Sequence, residues 1–156
     1  MTEESGELEY AGFWIRTVAA IIDTLLISVI LFPLLTAIYG SDYWSGERLI
    51  QGPLDFLLSW VAPAAAVVVF WLARQATPGK MAVGARIVDA KTGGKPTSTQ
   101  LILRYLGYYV AMLPLFVGIL WVAFDPRKQG WHDKIAGTVV VRRKGGTAQA
   151  VRFEGR

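Results

Sequence analysis

The stretch IIDTLLISVILFPLLTAIY, residues 21–39, decides the fold because it is long and apolar enough to cross a bilayer as one helix. At about 1.5 Å of rise per residue, a helix of this length spans the roughly 30 Å hydrocarbon core. The apolar segment around it begins near residue 12, and its only charged residues and proline are Arg16, Asp23 and Pro33. We therefore expect a first membrane helix over residues 12–39.

Two further apolar segments follow along the chain. Residues 54–73, LDFLLSWVAPAAAVVVFWLA, carry one charge, Asp55, close to their start, and we expect them to span the membrane. Residues 99–124 are apolar and aromatic but contain Arg104, Pro114 and two glycines, Gly107 and Gly118. A single straight helix is therefore not assured in this third segment, since proline and glycine weaken helix interiors.

Composition supports a membrane protein and narrows its chemistry. The hydrophobic share of 53% lies above that of ordinary soluble domains. The chain has no cysteine and one histidine, so we expect no disulfide, no metal site and no cofactor. The net charge of +4 comes from basic residues beside the apolar segments. That placement favours anionic lipid head groups over nucleic acid as partners.

The sequence divides into an acidic N-terminal tail over residues 1–11, a membrane domain over residues 12–144 and a basic C-terminal tail over residues 145–156. The acidic tail lacks the positive region of a signal peptide, so we expect the first apolar segment to be retained. ARIVDA, residues 85–90, and GTVVVRR, residues 137–143, have the β-branched character of short strands. The predicted fold is an all-α membrane protein with about three embedded helical segments and a small cytoplasmic β-element.

Basic residues also predict the topology. The connection after the second segment carries Arg74, Lys80, Arg86, Lys91 and Lys95, whereas the loop after the first carries Arg48. The positive-inside rule then predicts a multi-pass protein of a cytoplasmic (inner) membrane with its N-terminus in the cytoplasm. The basic C-terminal region favours the cytoplasm too, although three crossings would put it outside. Either the third segment crosses once or it bends near Pro114 and returns, and both alternatives stay open.

Charged residues inside the first segment are the strongest functional candidates. Arg16 and Asp23 lie seven residues apart, on one face of the helix and roughly 10 Å apart along its axis. A carboxylate at that depth must be protonated, paired or hydrated. Arg104 is a candidate partner for Asp23, as are the tyrosine hydroxyls that follow Arg104. Such a pair would lock the helices together, whereas an unpaired Asp23 could bind and release a proton.

Two motifs near the basic segments are ambiguous. His132 could titrate near physiological pH beside Asp133, or Asp133 could cap the following turn. Thr77-Pro78-Gly79-Lys80 lacks the glycine spacing of a phosphate loop, so we interpret it as a helix stop. Because no nucleophile with a base and no metal cluster is recognisable, we do not expect an enzyme.

The segments GFWIRTVAAIIDTLLI, TPGKMAVGARIVDAKTGGKPTS and DPRKQGWHDKIAGTVVVRR together resemble the RDD family of small bacterial membrane proteins. The resemblance covers residues 10–143. It implies that the arginine and two aspartates for which the family is named are Arg16, Asp23 and Asp133. It also implies sodium/proton exchange, the activity proposed for some members. If Arg16 and Asp133 act together, both must lie at the cytoplasmic surface, which favours the bent form of the third segment and a cytoplasmic C-terminal tail.

Two functions remain from the sequence. The chain is a cation/proton transporter or a subunit of one that uses Asp23, or it is a non-catalytic scaffold or accessory protein that binds other membrane proteins and anionic lipid. Three segments can hardly enclose a pathway, so we expect a homo-oligomer or another membrane protein as partner. Membrane lipid is expected in either case, with a monovalent cation and a proton for the transporter, and no nucleic acid.

Overall fold

We describe the fold from a computed structural model, in which residues 8–143, 151 and 153 are described. Most of the predicted tails, residues 1–7 and nearly all of 144–156, therefore lie outside the described residues. The described chain is mostly helical, with a small antiparallel sheet at one end. The predicted fold class is confirmed.

The two longest helices are those expected to span a membrane. Helix α1 covers Phe13–Tyr39 and continues through Pro33, and helix α2 covers Pro53–Arg74 with a π-helical turn over Leu57–Val61. Both are long and apolar enough to cross a bilayer, with mean hydropathies of 2.5 and 2.1. Only 11% and 6% of their most apolar windows are buried within the protein, so nearly all of these side chains face outward.

The third apolar segment is bent. Helix α4, Ser98–Met112, starts at a capping box in which the Thr97 hydroxyl accepts from the Gln100 N–H. Helix α5, Val117–Leu120, and a 3-10 turn over Trp121–Ala123 follow after a turn. The two halves meet at an angle of 115°. The chain reverses here through left-handed backbone at Leu115 and Phe116, with φ of 52° and 63°.

A three-stranded sheet gathers distant parts of the chain. Strand β2, Ala85–Asp89, and strand β3, Thr138–Arg143, are the two predicted strands, and they pair antiparallel. Strand β1, Leu8–Tyr10, pairs with the other side of β3, which gives the order β1-β3-β2. The sheet therefore holds the start of α1, the connection after α2 and the C-terminal strand at one end of the molecule.

Two short helices join the sheet to the long helices. Helix α3, Pro78–Ala82, lies against α1, and helix α6, Trp131–Ala136, lies against α4. The buried core between them and the sheet includes Trp71, Leu101 and Val140. The packed interior thus lies at the sheet end, while α1 and α2 extend from it as separate apolar helices.

Candidate functional site

Asp133 is the centre of a buried charge network at the sheet end. Its carboxylate is fully buried and accepts hydrogen bonds from Arg16 Nη1 at 2.7 Å, from Gly130 N at 3.0 Å and from Arg104 Nη1. Arg104 is also fully buried, and the same nitrogen donates to Thr138 Oγ1 at 2.9 Å. Charge-assisted bonds of this kind are stronger than neutral ones. Asp133 therefore joins α1, α4 and α6.

Arg16 connects the start of α1 to two loops. Its Nε donates to the Ala11 carbonyl at 3.0 Å and its Nη2 to the Lys128 carbonyl at 2.5 Å, while Nη1 donates to Asp133. The pairing of Arg16 with Asp133 that the family resemblance implied is present. The Arg16 side chain is only 13% exposed. The Arg16–Asp133 pair is therefore better shielded from water than an ion pair at the level of the lipid head groups would be.

Asp23 lies in a different environment from the one predicted. Its carboxylate accepts from the Thr77 hydroxyl at 2.5 Å and from the Gly79 N–H at 2.7 Å. The prediction that Arg104 pairs with Asp23 is wrong, because Arg104 bonds to Asp133 and Thr138 instead. Asp23 thus holds the first turn of α3, where peptide dipoles favour negative charge. The motif interpreted as a helix stop is the start of a helix that docks on α1.

Glycine is required where α3 meets α1. A Cβ on Gly79 would lie 2.0 Å from the Ala19 carbonyl oxygen and 2.8 Å from Asp23 Cγ. No side chain fits at those distances without moving the helices apart. The Asp23 contact and the close approach therefore depend on the same residue, which the sequence indicated only as part of a helix stop.

His132 is a neutral packing residue. Its ring stacks on Tyr108 with centroids 4.0 Å apart, and its side chain is 2% exposed. Neither ring nitrogen has a hydrogen-bond partner among the described residues. Burial, followed by the positive charges of Arg104, Arg16 and Lys80, moves the pKa of His132 far below its usual value. Of the two alternatives that the sequence left open, the structure has the capping one, since the Asp133 carboxylate accepts from the Gly130 N–H at the start of α6, and the lowered pKa of His132 disfavours titration near physiological pH.

Lys80, which the sequence indicated as a topology signal and as part of the helix stop, lines the same region as Arg16 and His132. Burial lowers the pKa of its ammonium, and the nearby charges of Arg104 and Arg16 act in the same direction. The ammonium lies 6.0 Å from the centre of the Trp71 ring. It makes no hydrogen bond or ion pair with the other described residues, so its charge is not matched by a contacting carboxylate.

A cavity of about 580 Å³ opens between α1 and the bent third segment. Arg16, Lys80, Tyr108 and His132 form its polar wall, and the remaining lining is mostly apolar. No group of three or more histidine, aspartate or glutamate residues with a spacing suited to a metal ion occurs within the described part of the chain. The site can therefore neutralise an anion more readily than it can hold a metal ion.

A second polar cluster lies at the other end of α2. Asp55 is 1% exposed and accepts from Tyr43 Oη at 2.6 Å, Ser59 Oγ at 2.8 Å and Gln51 N at 2.8 Å. These bonds fasten the loop between α1 and α2 to the start of α2. We assign this cluster a structural role, since every contact of the carboxylate lies within the loop or the first turns of the helix.

These features define a small membrane protein in which an arginine and two aspartates fix the first helix to two short helices, α3 and α6, beside the sheet. The chain belongs to the RDD family, whose model matches residues 10–137. It is similar to the uncharacterised membrane protein YteJ of Bacillus subtilis, with 33% identity over 86% of this chain and 82% of YteJ. YxaI of the same organism is 30% identical over 84% of this chain and 96% of its own length.

An uncharacterised protein of Rickettsia prowazekii is 41% identical over a shorter region, which covers 48% of this chain and 41% of that protein. No solved structure matches the chain. The comparisons establish the family and the membrane class.

Proposed function

We propose that this protein is a non-catalytic scaffold or accessory protein of a bacterial cytoplasmic membrane, which binds anionic lipid and another membrane protein or a second copy. The observation that supports this most is the outward exposure of both long helices, which make little contact with each other. Within residues 8–143, α1 and α2 do not enclose a route across a bilayer between them. It offers two apolar helices on a compact base, as an assembly partner would.

The same proposal includes a topology with two crossings. Because three strands from the start, middle and end of the described chain form one sheet, they belong on one side of the membrane. Helices α1 and α2 would then cross, and the bent third segment would return without a net crossing. The basic residues of the sheet end support a cytoplasmic position for the sheet and for the N-terminus.

The charge network supports a structural role. The two oxygens of Asp133 are engaged by two arginines, and those of Asp23 by Thr77 and Gly79. Groups held in this way fix the helices relative to the sheet. Breaking such contacts in each cycle would be costly, since buried groups left without partners are strongly destabilising.

Cysteine cross-linking in membranes tests the assembly, because the chain has no cysteine of its own. Ala62, Ala65, Ala66 and Val69 form one exposed face of α2 with helical spacing, and small residues allow close helix approach. We expect Ala65→Cys to form a cross-linked species with a second copy or another membrane protein. Ala64→Cys, which faces Tyr105 and Tyr109 across a cavity, is the matched control. Equal cross-linking at both sites, or none at any position of this face, would contradict the proposal.

Cation/proton exchange is the second candidate, and one feature of Asp23 favours it. Its hydrogen bonds come from a hydroxyl and a backbone N–H, and no described cation forms an ion pair with it. An acid held only by neutral donors can exchange a proton or cation more easily than one fixed by arginine. Proton flux driven by a sodium or potassium gradient in proteoliposomes, lost in Asp23→Asn, would support exchange. Well-inserted wild-type protein without flux would remove it.

A further inference from the structure

We propose that the cavity between α1 and the bent third segment binds one anionic membrane lipid, whose phosphate contacts Lys80 and Arg16 and whose acyl chain lies along the apolar walls. This inference rests on the scaffold function proposed above and deepens its lipid-binding part. It assigns the lipid to a defined site rather than to the basic surface in general.

The lining of the cavity changes from polar to apolar along helix α1. Arg16, Ala20 and Thr24 follow one face of α1 at four-residue intervals, and Ile21 and Leu25 line the same cavity further along. From Arg16 to Leu25 the helix rises by roughly 13 Å. The polar end is at the sheet, where head groups lie, and the apolar end is at the depth of hydrocarbon. A lipid has the same polarity along the same axis.

Several positively charged side chains surround the polar end of the cavity. Arg16, Lys80 and Arg104 are positive, and the carboxylates near them are Asp23, Asp133 and Asp125. Asp23 and Asp133 already receive hydrogen bonds from other groups, and Asp125 pairs with Lys134. Burial and these cations disfavour a positive charge on His132. One positive charge therefore remains without a contacting anion, and Lys80 is the residue that bears it.

A lysine held partly out of water without an anion is unfavourable, and a bound anion would relieve this. Burial lowers the Lys80 pKa, whereas a phosphate beside the ammonium would raise it again. Two hydrogen-bonding side chains, Tyr108 and His132, line the same wall. The polar end thus offers two cations and two neutral polar groups to a phosphate.

The apolar half identifies the source of that anion as a lipid. Ile21, Leu25, Phe116 and Leu120 line the cavity, and each is between 47% and 60% exposed. A free phosphate ion gains nothing from these walls. An acyl chain does, because it would cover apolar side chains and continue into the surrounding hydrocarbon. The volume of about 580 Å³ lies within the range of roughly 300 to 1,000 Å³ typical of ligand sites.

The test measures lipid binding to the full-length, detergent-purified protein by native mass spectrometry. The probes are phosphatidylglycerol, phosphatidylcholine with the same acyl chains, and inorganic phosphate. We expect phosphatidylglycerol to bind at least tenfold more tightly than phosphatidylcholine, and inorganic phosphate not to compete with it at similar concentrations. Lys80→Gln should weaken phosphatidylglycerol binding at least tenfold, while Lys95→Gln, an exposed lysine of the loop before α4, should leave it unchanged.

A second variant tests the apolar half without touching a charge. Ala20 lines the cavity, so Ala20→Phe should fill it and weaken phosphatidylglycerol binding with the charged residues intact. This variant also decides the matter if Lys80→Gln fails to fold. Unchanged lipid selectivity in folded Lys80→Gln, or unchanged binding in Ala20→Phe, would overturn the proposal. Inorganic phosphate that binds as tightly as phosphatidylglycerol would overturn the choice of a lipid.

The outcomes for the site and for the scaffold function are separable. Cross-linking through Ala65→Cys depends on the outer face of α2 and not on this cavity. Loss of that cross-link with normal lipid selectivity would reject the scaffold function alone. The opposite pattern would reject the lipid site alone.

Discussion

Asp133 joins three elements, and its removal should cost more than that of any exposed acid. Asp133→Asn leaves two arginines with no opposing charge in an interior where Arg104 is fully buried. Removing one member of a buried ion pair typically costs about 3 to 5 kcal/mol. We expect thermal unfolding in detergent to shift strongly downward in this variant. The control is Asp42→Asn in the exposed loop after α1, which should behave as wild type. Equal stability of the two variants would contradict a structural role for Asp133.

Adding a Cβ atom at Gly79 tests the contact between α3 and α1. Gly79→Ala places a methyl group 2.0 Å from the Ala19 carbonyl oxygen, so the two helices must separate and the Asp23 hydrogen bonds must lengthen. Overpacking of this kind costs about 1 to 3 kcal/mol. Gly12→Ala is the matched control, because a Cβ there meets nothing within 4 Å. Denaturant unfolding should separate the two variants, and a stable Gly79→Ala protein would show that α3 is not fixed to α1.

The sequence identified which charged residues are important, but not which groups they contact. Arg16, Asp23 and Asp133 stood out because ionised side chains in or beside apolar segments need partners. The partners of Asp23 lie more than fifty residues away along the chain, at positions set by how α3 docks. A hydroxyl and a backbone N–H carry no charge signal in a sequence. Arg104 was the plausible partner from depth alone, and its actual partner became visible only through the packing of α6 on α4.

The bend in the third segment can be tested with a matched pair of substitutions. Leu115 and Leu113 are 86% and 82% exposed, but Leu115 has φ of +52° and Leu113 has φ of −51°. Glycine adopts positive φ without the cost of about 1 to 2 kcal/mol that other residues bear. We expect Leu115→Gly to keep or raise stability and Leu113→Gly to lower it, as measured by thermal unfolding in the same detergent. The reverse order would contradict the bend.

The sequence predicted the two long helices and two of the strands, but not the shortest strand. The two long helices follow from hydropathy, and β2 and β3 follow from their β-branched residues. Strand β1 has three residues in a tail dominated by acids, too few for an alternating pattern to appear. Its place in the sheet is fixed by tertiary contacts, including the buried Glu9 that pairs with Arg142.

Across the whole molecule, the position of the sheet supports the proposed topology with two crossings. Three crossings would separate the C-terminal strand from the N-terminal one, yet both pair within one sheet. Sequence alone left the two arrangements open because the bend depends on backbone angles at Leu115 and Phe116 and on the packing of α5 against α4. Leucine and phenylalanine do not favour left-handed backbone, so the local sequence gives no indication that the chain reverses here.

The stability of the whole protein should depend on pH through His132. Its folded-state pKa lies far below the value of 6.5 for an exposed histidine, because burial and three nearby cations disfavour the charged ring. The unfolded chain therefore takes up a proton below about pH 6.5 that the folded protein does not, and stability falls as pH falls through that range. The slope approaches about 1.4 kcal/mol per pH unit for one group. The depressed pKa values of Asp89 and Asp125 act in the same direction but at lower pH, below about 4.

Unfolding midpoints between pH 8 and pH 5 should decline in wild type and decline less in His132→Gln. Equal slopes would mean that the folded protein protonates His132 and that the charge network tolerates a further cation.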